Sequence, residues 1–298
     1  MDLITLFQQL INGISLGSMY ALIAIGYTMV YGVLRLINFA HADIMMVGAF
    51  AAYLAADTFG FSLSAAALFA VMISVIIGIL TDKIAYKPLR QAPRISLLIT
   101  AIGVSFFLEN IVNVTFGGTP KAFTVPEFFE QIIEVGGATL TPTVLIVPVV
   151  TMLLLAILLY VLFKTKYGMA IRALAFDIKT VSLMGVDSNA IIMIVFIIGS
   201  GLAAVSGIFW AISYPILTPY MGVMIGLKAF AAAVLGGIGS VSGAVLGGFI
   251  LGFTEVLFVA FFPEHGGYKD AIAFIFLILV LLFKPTGIMG INFEKSRF

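Results

Sequence analysis

Nine long apolar runs dominate this sequence and constrain its fold more than any other feature. Most of them approach the ~20 residues that an α-helix needs to cross the ~30 Å hydrocarbon core of a bilayer. Of 298 residues, 62% are hydrophobic and 10% are charged, whereas a soluble domain typically has ~25% charged residues. The runs cover approximately residues 10–34, 36–56, 63–81, 95–116, 143–163, 190–210, 223–235, 240–262 and 271–283.

This pattern predicts an all-α fold, a single polytopic bundle of about eight or nine transmembrane helices over residues 1–298. Strict alternation of apolar and polar residues is absent, which excludes a membrane β-barrel. The runs 223–235 and 271–283 are short for a full span, so a count of eight, with one re-entrant element, stays open.

The distribution of basic residues predicts the orientation of the bundle. With the N-terminus outside and the C-terminus in the cytoplasm, twelve of the 15 Lys and Arg residues fall in inner loops and two, Lys121 and Lys269, in outer loops. The positive-inside rule favours this arrangement. It places the polar segment 164–187 in the cytoplasm and the segment 117–141 outside. No basic residue precedes Arg35, so we expect the first helix to be retained rather than cleaved as a signal peptide.

The segment 164–187 is the longest polar interruption in the chain. Its apolar residues recur at intervals of mostly two to four, with Arg172, Asp177 and Lys179 between them, which predicts a short amphipathic helix. Two interpretations stay open: the helix lies flat on the lipid headgroups, or it contacts a cytoplasmic partner.

The sequence lacks the residues and motifs that several kinds of chemistry require. There is no cysteine, and no Gly-x-x-x-x-Gly-Lys-Ser/Thr loop that would hold nucleotide phosphates. The two histidines, His41 and His265, are predicted on opposite sides of the membrane, so no metal site is expected. No nucleophile and base can be placed in one cleft, so no catalytic residue is assigned, and the net charge of +1 gives no reason to expect a nucleic acid partner.

Besides His41 and Asp43 near the start of the second run, three ionisable residues lie inside the apolar runs. They are candidates for the transport pathway, because charges are costly within a bilayer. They are Glu109, Lys228 and Glu255. Lys228 and Glu255 fall at similar depths in neighbouring antiparallel runs, which predicts that they form an ion pair. Alternatively, Lys228 is unpaired and extends its side chain to the membrane surface.

A second polar group precedes the second helix, in the sequence Asn38-Phe-Ala-His41-Ala-Asp43. His41 and Asp43 are two residues apart and so point to different faces of a helix. Asn38, His41 and Asp43 are further pathway candidates, although Asn38 is also suited to be an N-terminal cap of that helix.

Glycines spaced four residues apart form a stripe near the end of the chain. Gly239, Gly243 and Gly247 share one interval, and Gly248 and Gly252 repeat it. Such a stripe lets transmembrane helices approach closely, either as ordinary packing or around a pathway.

The sequence resembles the inner-membrane permease subunits of bacterial ABC importers for branched-chain amino acids. The stretches that carry the resemblance span nearly the whole chain. They are NGISLGSMYALIAIGYTMVYGVLRLINFAHADIMMVGAF, the GMAIRA and MGV motifs of segment 164–187, LKAFAAAVLGGIGSVSGAVLGGFILGFTEV and KPTGIMG. One departure is Asp43, where the family pattern has Glu preceded by Gly.

The resemblance implies an alternating-access permease of a bacterial inner membrane. It implies as partners a second related permease, two cytoplasmic ATPases that bind ATP and Mg, and a periplasmic binding protein. It assigns Gly168, Arg172, Ala173, Asp177 and Gly185 to coupling with the ATPases. Another cargo, such as urea, a short amide or a sugar, stays open, as does an ATP-independent channel.

Overall fold

The computed structural model of the chain describes residues 2–290, without the side chains of Arg94 and Lys179. This part of the chain is mostly helical, as predicted. The helices are α1 (Leu3–Leu34), α2 (His41–Tyr53), α3 (Leu63–Leu80), α4 (Arg94–Phe116), α5 (Glu127–Glu130), α6 (Pro142–Lys164), α7 (Lys166–Phe176), α8 (Ile178–Leu183), α9 (Ser188–Ser213), α10 (Met221–Gly236), α11 (Val241–Phe261) and α12 (Lys269–Phe283).

Each of the nine apolar runs corresponds to one helix, which confirms the predicted bundle. Within residues 2–290, seven helical segments are long and apolar enough to cross a membrane. The other two apolar helices, α2 and α10, have 13 and 16 residues. A five-residue π-helical stretch, Leu54–Thr58, extends α2, and turns of π and 3₁₀ helix extend α3.

The second helix begins later than the sequence predicts. The run 36–56 starts at residue 36, but α2 starts at His41, and the chain between them is not helical. Arg35 ends α1 in the left-handed region with φ 53°, so the chain turns back into the bundle after α1. Apolar residues of this connection, such as Leu36 and Ala40, are buried. Their hydropathy therefore reflects burial inside the protein and not contact with lipid in a transmembrane helix.

Helix α1 forms the centre of the bundle. In its most apolar stretch 94% of residues are buried, against 6% in the last span, which includes α12. Helices α2, α6, α9, α10 and α11 pack around α1. The spans of α4, α6 and α12 are mostly exposed, so their surfaces are available to lipid or to another subunit.

Small residues allow α1 and α11 to pack closely. A Cβ atom on Gly17 would lie 2.8 Å from the Cα of Phe249, and one on Gly248 would lie 2.7 Å from the backbone N of Ala21. Real Cβ atoms do not approach backbone atoms this closely, so larger residues here would separate the helices. Gly248, at the start of the repeated interval noted in the sequence, therefore faces α1.

The predicted outer segment 117–141 is ordered by short strands. Strand β1 (Lys121–Ala122) pairs antiparallel with β4 (Ile216–Leu217), with Lys121 opposite Leu217. Strands β2 (Ile133–Val135) and β3 (Ala138–Leu140) form a hairpin. Its turn residues Gly136 and Gly137 have φ of 60° and 88°, values that glycine adopts readily in a two-residue hairpin turn. The β1–β4 pairing ties this segment to the connection between α9 and α10.

Candidate functional site

The ion pair predicted between Lys228 and Glu255 is present. Helix α10 carries Lys228 and α11 carries Glu255, and the Nζ–Oε1 distance is 2.9 Å. The two residues are 6% and 5% exposed. A buried charge is costly unless it is paired and hydrogen-bonded, so each of these residues requires an opposite charge inside the bundle.

The pair belongs to a larger cluster. Asp270, in the first turn of α12, forms a second ion pair with Lys228, and the Nζ of Lys269 lies 3.5 Å from Oε1 of Glu255. The hydroxyl of Tyr20 on α1 donates to Oε2 of Glu255 at 2.8 Å. We call these five residues the Lys228 cluster. Its two lysines and two carboxylates balance, so four helices meet at a site without net charge.

The sequence did not indicate three members of this cluster. Lys269 and Asp270 precede the last apolar run, and Lys269 was predicted in an outer loop. The structure brings Lys269 against Glu255 and Asp270 against Lys228. Tyr20 lies within an apolar run. Its one available signal is the seven-residue spacing from Tyr27, which puts both tyrosines on the same face of α1.

A cleft of about 380 Å³ opens beside the Lys228 cluster. Glu255 and Lys269 both line it, together with polar residues of α1, including Asn12 and Ser15. Phe129 of α5 also lines it, so the cleft opens on the side of the segment 117–141. We call it the charged cleft.

The remaining pathway candidates surround the start of α2. Asn38 is buried, and its Oδ1 accepts a hydrogen bond of 2.5 Å from the Tyr86 hydroxyl. The alternative that Asn38 caps α2 is wrong, because Ala40 is the N-cap residue and no side chain caps the helix. His41 packs edge-on against Tyr27, with ring centroids 5.1 Å apart. A side chain on Gly26 would collide with the His41 imidazole.

The carboxylates of this second group lie between α2, α4 and α10. Ser105 on α4 donates a hydrogen bond of 2.5 Å to Oδ2 of Asp43, and Asp43 lies against Gly222 of α10. Glu109 is one helical turn from Ser105 and is also buried. Among the described residues, Oδ1 of Asp43 and Oε1 of Glu109 have no hydrogen-bond partner. Thus α10 contacts both polar groups, and the assignment of these residues to the pathway stays a prediction.

The glycine stripe divides into a helix contact and a turn. A Cβ atom on Gly243 would collide with the carbonyl of Gly236, and one on Gly247 with the carbonyl of Ala232, so these two glycines lie where α11 contacts α10. Gly239 lies outside both helices. It lies in the turn before α11 with φ 96°, where glycine is favoured by its backbone conformation.

The predicted amphipathic helix in segment 164–187 is two helices rather than one. Helix α7 ends at Phe176, and the next residue, Asp177, has an extended backbone. Asp177 accepts hydrogen bonds from the backbone N and the hydroxyl of Thr180, at 3.3 and 2.6 Å, and so stabilises the start of α8. Gly185 follows α8 with φ 85°, which turns the chain towards α9.

Helix α7 is fixed against the C-terminal end of α6. The N-cap residue Thr165 accepts a hydrogen bond of 3.1 Å from the backbone N of Gly168. A side chain on Gly168 would collide with the carbonyls of Val161 and Leu162. The guanidinium of Arg172 lies 5.1 Å from the centre of the Phe163 ring. Gly168 is therefore a packing position, whereas Arg172 is exposed.

The surface of α7 and α8 has both a buried and an exposed apolar part. Ile171, Leu174 and Val181 are buried, and Ala173 packs against them from a half-buried position. Met169 and Leu183 belong to the apolar pattern of this segment but are exposed. The exposed apolar residues of this surface are Tyr167, Met169, Phe176, Leu183 and Met184. We call them the α7–α8 patch.

These features define a polytopic membrane protein: an apolar bundle with a buried ion cluster, a cleft open on one side and an apolar patch on a polar segment. Residues 9–281 match the family model described as branched-chain amino acid transport system, permease component. The chain therefore belongs to this family, which confirms the resemblance noted in the sequence.

Two relatives match almost the whole chain. The high-affinity branched-chain amino acid transport system permease protein LivH of Escherichia coli K12 is 41% identical over 296 residues, which cover 95% of each chain. The corresponding protein BraD of Pseudomonas aeruginosa is 41% identical over 294 residues, with the same coverage. A chain in the structure of PsaBC from Streptococcus pneumoniae in complex with Fab is similar in fold. It has a TM-score of 0.52 at 13% identity and covers 92% of this chain and 91% of its own length.

Proposed function

We propose that the chain is the transmembrane permease subunit of an ATP-driven importer that carries leucine, isoleucine and valine across a bacterial inner membrane. The observation that supports this most strongly is the 41% identity to LivH and BraD over 95% of each chain. Both relatives carry branched-chain amino acid transport in their names. The chain itself lacks a phosphate-binding loop, so ATP and Mg are bound by partner subunits.

The α7–α8 patch is the surface that we assign to the ATPases. Its residues are among the most exposed large apolar side chains of the protein; Leu183 is 88% exposed. Exposed apolar patches often mark protein interfaces. The backbone of Ala175 in α7 also accepts a hydrogen bond of 3.3 Å from Arg35 at the end of α1. A movement of α7 would therefore be transmitted to the central helix.

The complex that we propose contains this permease, a second related permease, two ATP-binding subunits and a periplasmic binding protein. The largely exposed spans of α4, α6 and α12 offer surfaces for the second permease. The twelve-to-two distribution of basic residues supports an outer N-terminus and a cytoplasmic C-terminus. In this orientation the charged cleft faces the binding protein, and alternating access moves the cargo towards α7 and α8.

The cargo is tested by ATP hydrolysis in proteoliposomes that contain the assembled complex and its binding protein. We expect binding protein loaded with leucine, isoleucine or valine to stimulate hydrolysis, and urea or ribose to leave it at the basal rate. Stimulation by urea or ribose alone would assign a different cargo to the same architecture. A protein that passes leucine without any ATPase partner would be a channel.

A further inference from the structure

We infer that the charged cleft is the site at which this permease first receives its amino acid. In this assignment Glu255 binds the ammonium group and Lys269 binds the carboxylate. The inference rests on the proposed function and adds to it a binding site within a single permease chain. It differs from a pathway formed only between two permeases.

The size and the lining of the cleft suit a small aliphatic amino acid. Its volume of about 380 Å³ is near the lower end of the ~300–1,000 Å³ of small-molecule sites. Leu16, Ile212 and Val256 form part of its apolar wall, which suits a branched aliphatic side chain. The charged groups are at one place in the lining, so a ligand with both charges near one end fits this distribution.

The charges of the cleft are arranged for an exchange of partners. Glu255 is almost completely buried, whereas the side chain of Lys269 is 46% exposed. The Nζ of Lys269 and the Oε1 of Glu255 are 3.5 Å apart, which is longer than a typical charge-assisted hydrogen bond of ~2.7–2.9 Å. An incoming ammonium can replace Lys269 at Glu255, and the released lysine can then bind the carboxylate of the ligand. Charge is conserved, because each group exchanges one opposite charge for another.

The rest of the Lys228 cluster keeps Glu255 in place during this exchange. Tyr20 donates to Oε2 of Glu255, while Lys228 and Lys269 both contact Oε1. Lys228 also has Asp270 as a partner. Uncharged cargo such as urea or a sugar cannot replace an ion pair in this way, and so the cleft discriminates by charge.

The absence of cysteine from the chain allows a direct occupancy test. Two single-cysteine variants each place a thiol in the lining of the cleft. Asn12→Cys lies at a partly buried position and Val259→Cys at an exposed one. Thr119→Cys lies on the same side at an exposed position outside the lining. Each variant is assembled with its partner subunits in proteoliposomes, without binding protein, and treated with a membrane-impermeant thiol reagent.

We expect millimolar leucine to slow labelling of both cleft variants severalfold and to leave Thr119→Cys unchanged. The analogue without the amino group and the analogue without the carboxyl group should each protect at least about tenfold less well, because each loses one charged hydrogen bond worth ~1.5–3 kcal/mol. Equal labelling with and without leucine, or no labelling of either cleft variant, would overturn the inference.

Charge variants of the labelled protein test the assigned roles. Lys269→Gln should raise the leucine concentration for half-protection at least about tenfold. Protection by the carboxyl-free amine should be at least as strong as in the parent, because the amine no longer has to displace a lysine from Glu255. Lys121→Gln, the matched outer lysine, should behave like the parent. If Lys269→Gln and Lys121→Gln are indistinguishable, Lys269 does not bind the ligand.

A parallel measurement separates this inference from the proposed function. Leucine-loaded binding protein is added to the same proteoliposomes, and ATP hydrolysis is recorded. Stimulated hydrolysis without protection of the cleft contradicts the cleft assignment alone. If leucine neither stimulates ATP hydrolysis nor protects the cleft cysteines, the proposed function is contradicted as well.

Discussion

Individual charged residues of the bundle are held by more than one partner. The clearest case is Glu255, which contacts Lys228, Lys269 and Tyr20. The pairing with Lys228 was predictable, because two ionisable residues in neighbouring antiparallel runs have few other ways to offset their charge. Asp270 was not predictable, since helix tilt decides which residues at the ends of spans reach the interior, and the apolar runs carry no information on tilt. Tyr20 was not predictable either, because it lies in the middle of α1 and the apolar runs do not show which face of that helix meets α11.

Removing one charge of the buried pair should cost more than removing both. We expect Lys228→Met and Glu255→Gln each to lower the free energy of unfolding by about 3 kcal/mol, because each leaves an uncompensated charge. The double variant should recover part of this loss. Thermal unfolding in detergent measures the effect, with Glu264→Gln, an exposed carboxylate, as the control. Strictly additive losses would contradict a mutual interaction.

The helices were predictable because burial in lipid and burial in protein both require apolar side chains on a helical backbone. Nine apolar runs became nine helices, because a backbone in either environment must satisfy its own hydrogen bonds. Two details were not predictable. The connection before α2 is as apolar as a span yet not helical, and the pattern of segment 164–187 continues across the break at Asp177, since apolar spacing alone does not reveal a change of helix direction.

The contact between α10 and α11 should not tolerate a large side chain. Gly243→Leu would place four carbons against the carbonyl of Gly236, and overpacking typically costs ~1–3 kcal/mol. Gly103→Leu on α4 is the matched control, because apart from the adjacent backbone of α4 itself no atom lies within 4 Å of its added Cβ. Thermal stability in detergent should fall for Gly243→Leu only. Equal stability of the two variants would place Gly243 outside the interface.

Helix α7 should affect coupling rather than folding. Arg172→Glu reverses a charge on the exposed side of α7, beside the α7–α8 patch. We expect an assembled complex whose ATP hydrolysis responds several times less to loaded binding protein. Lys87→Glu, an exposed reversal in the connection after α3, should respond like the parent. Normal stimulation in a well-assembled Arg172→Glu complex would exclude the coupling role.

The molecule as a whole has one polar segment and one strand-containing segment at opposite predicted surfaces. Single cysteines in the cysteine-free chain test this orientation in intact cells. Thr119→Cys should react with an impermeant reagent added outside, whereas Tyr167→Cys on α7 should react only after the membrane is permeabilised. The reverse pattern would contradict the orientation derived from the basic residues.

We expect this bundle to move amino acid against a gradient only when an ATPase drives it. The most direct test is leucine accumulation in proteoliposomes that contain the complex, with loaded binding protein outside and ATP and Mg at the ATPase side. We predict that luminal leucine rises above the external free concentration, and that omission of ATP abolishes the accumulation. Equilibration of leucine to the same level with or without ATP would contradict the account.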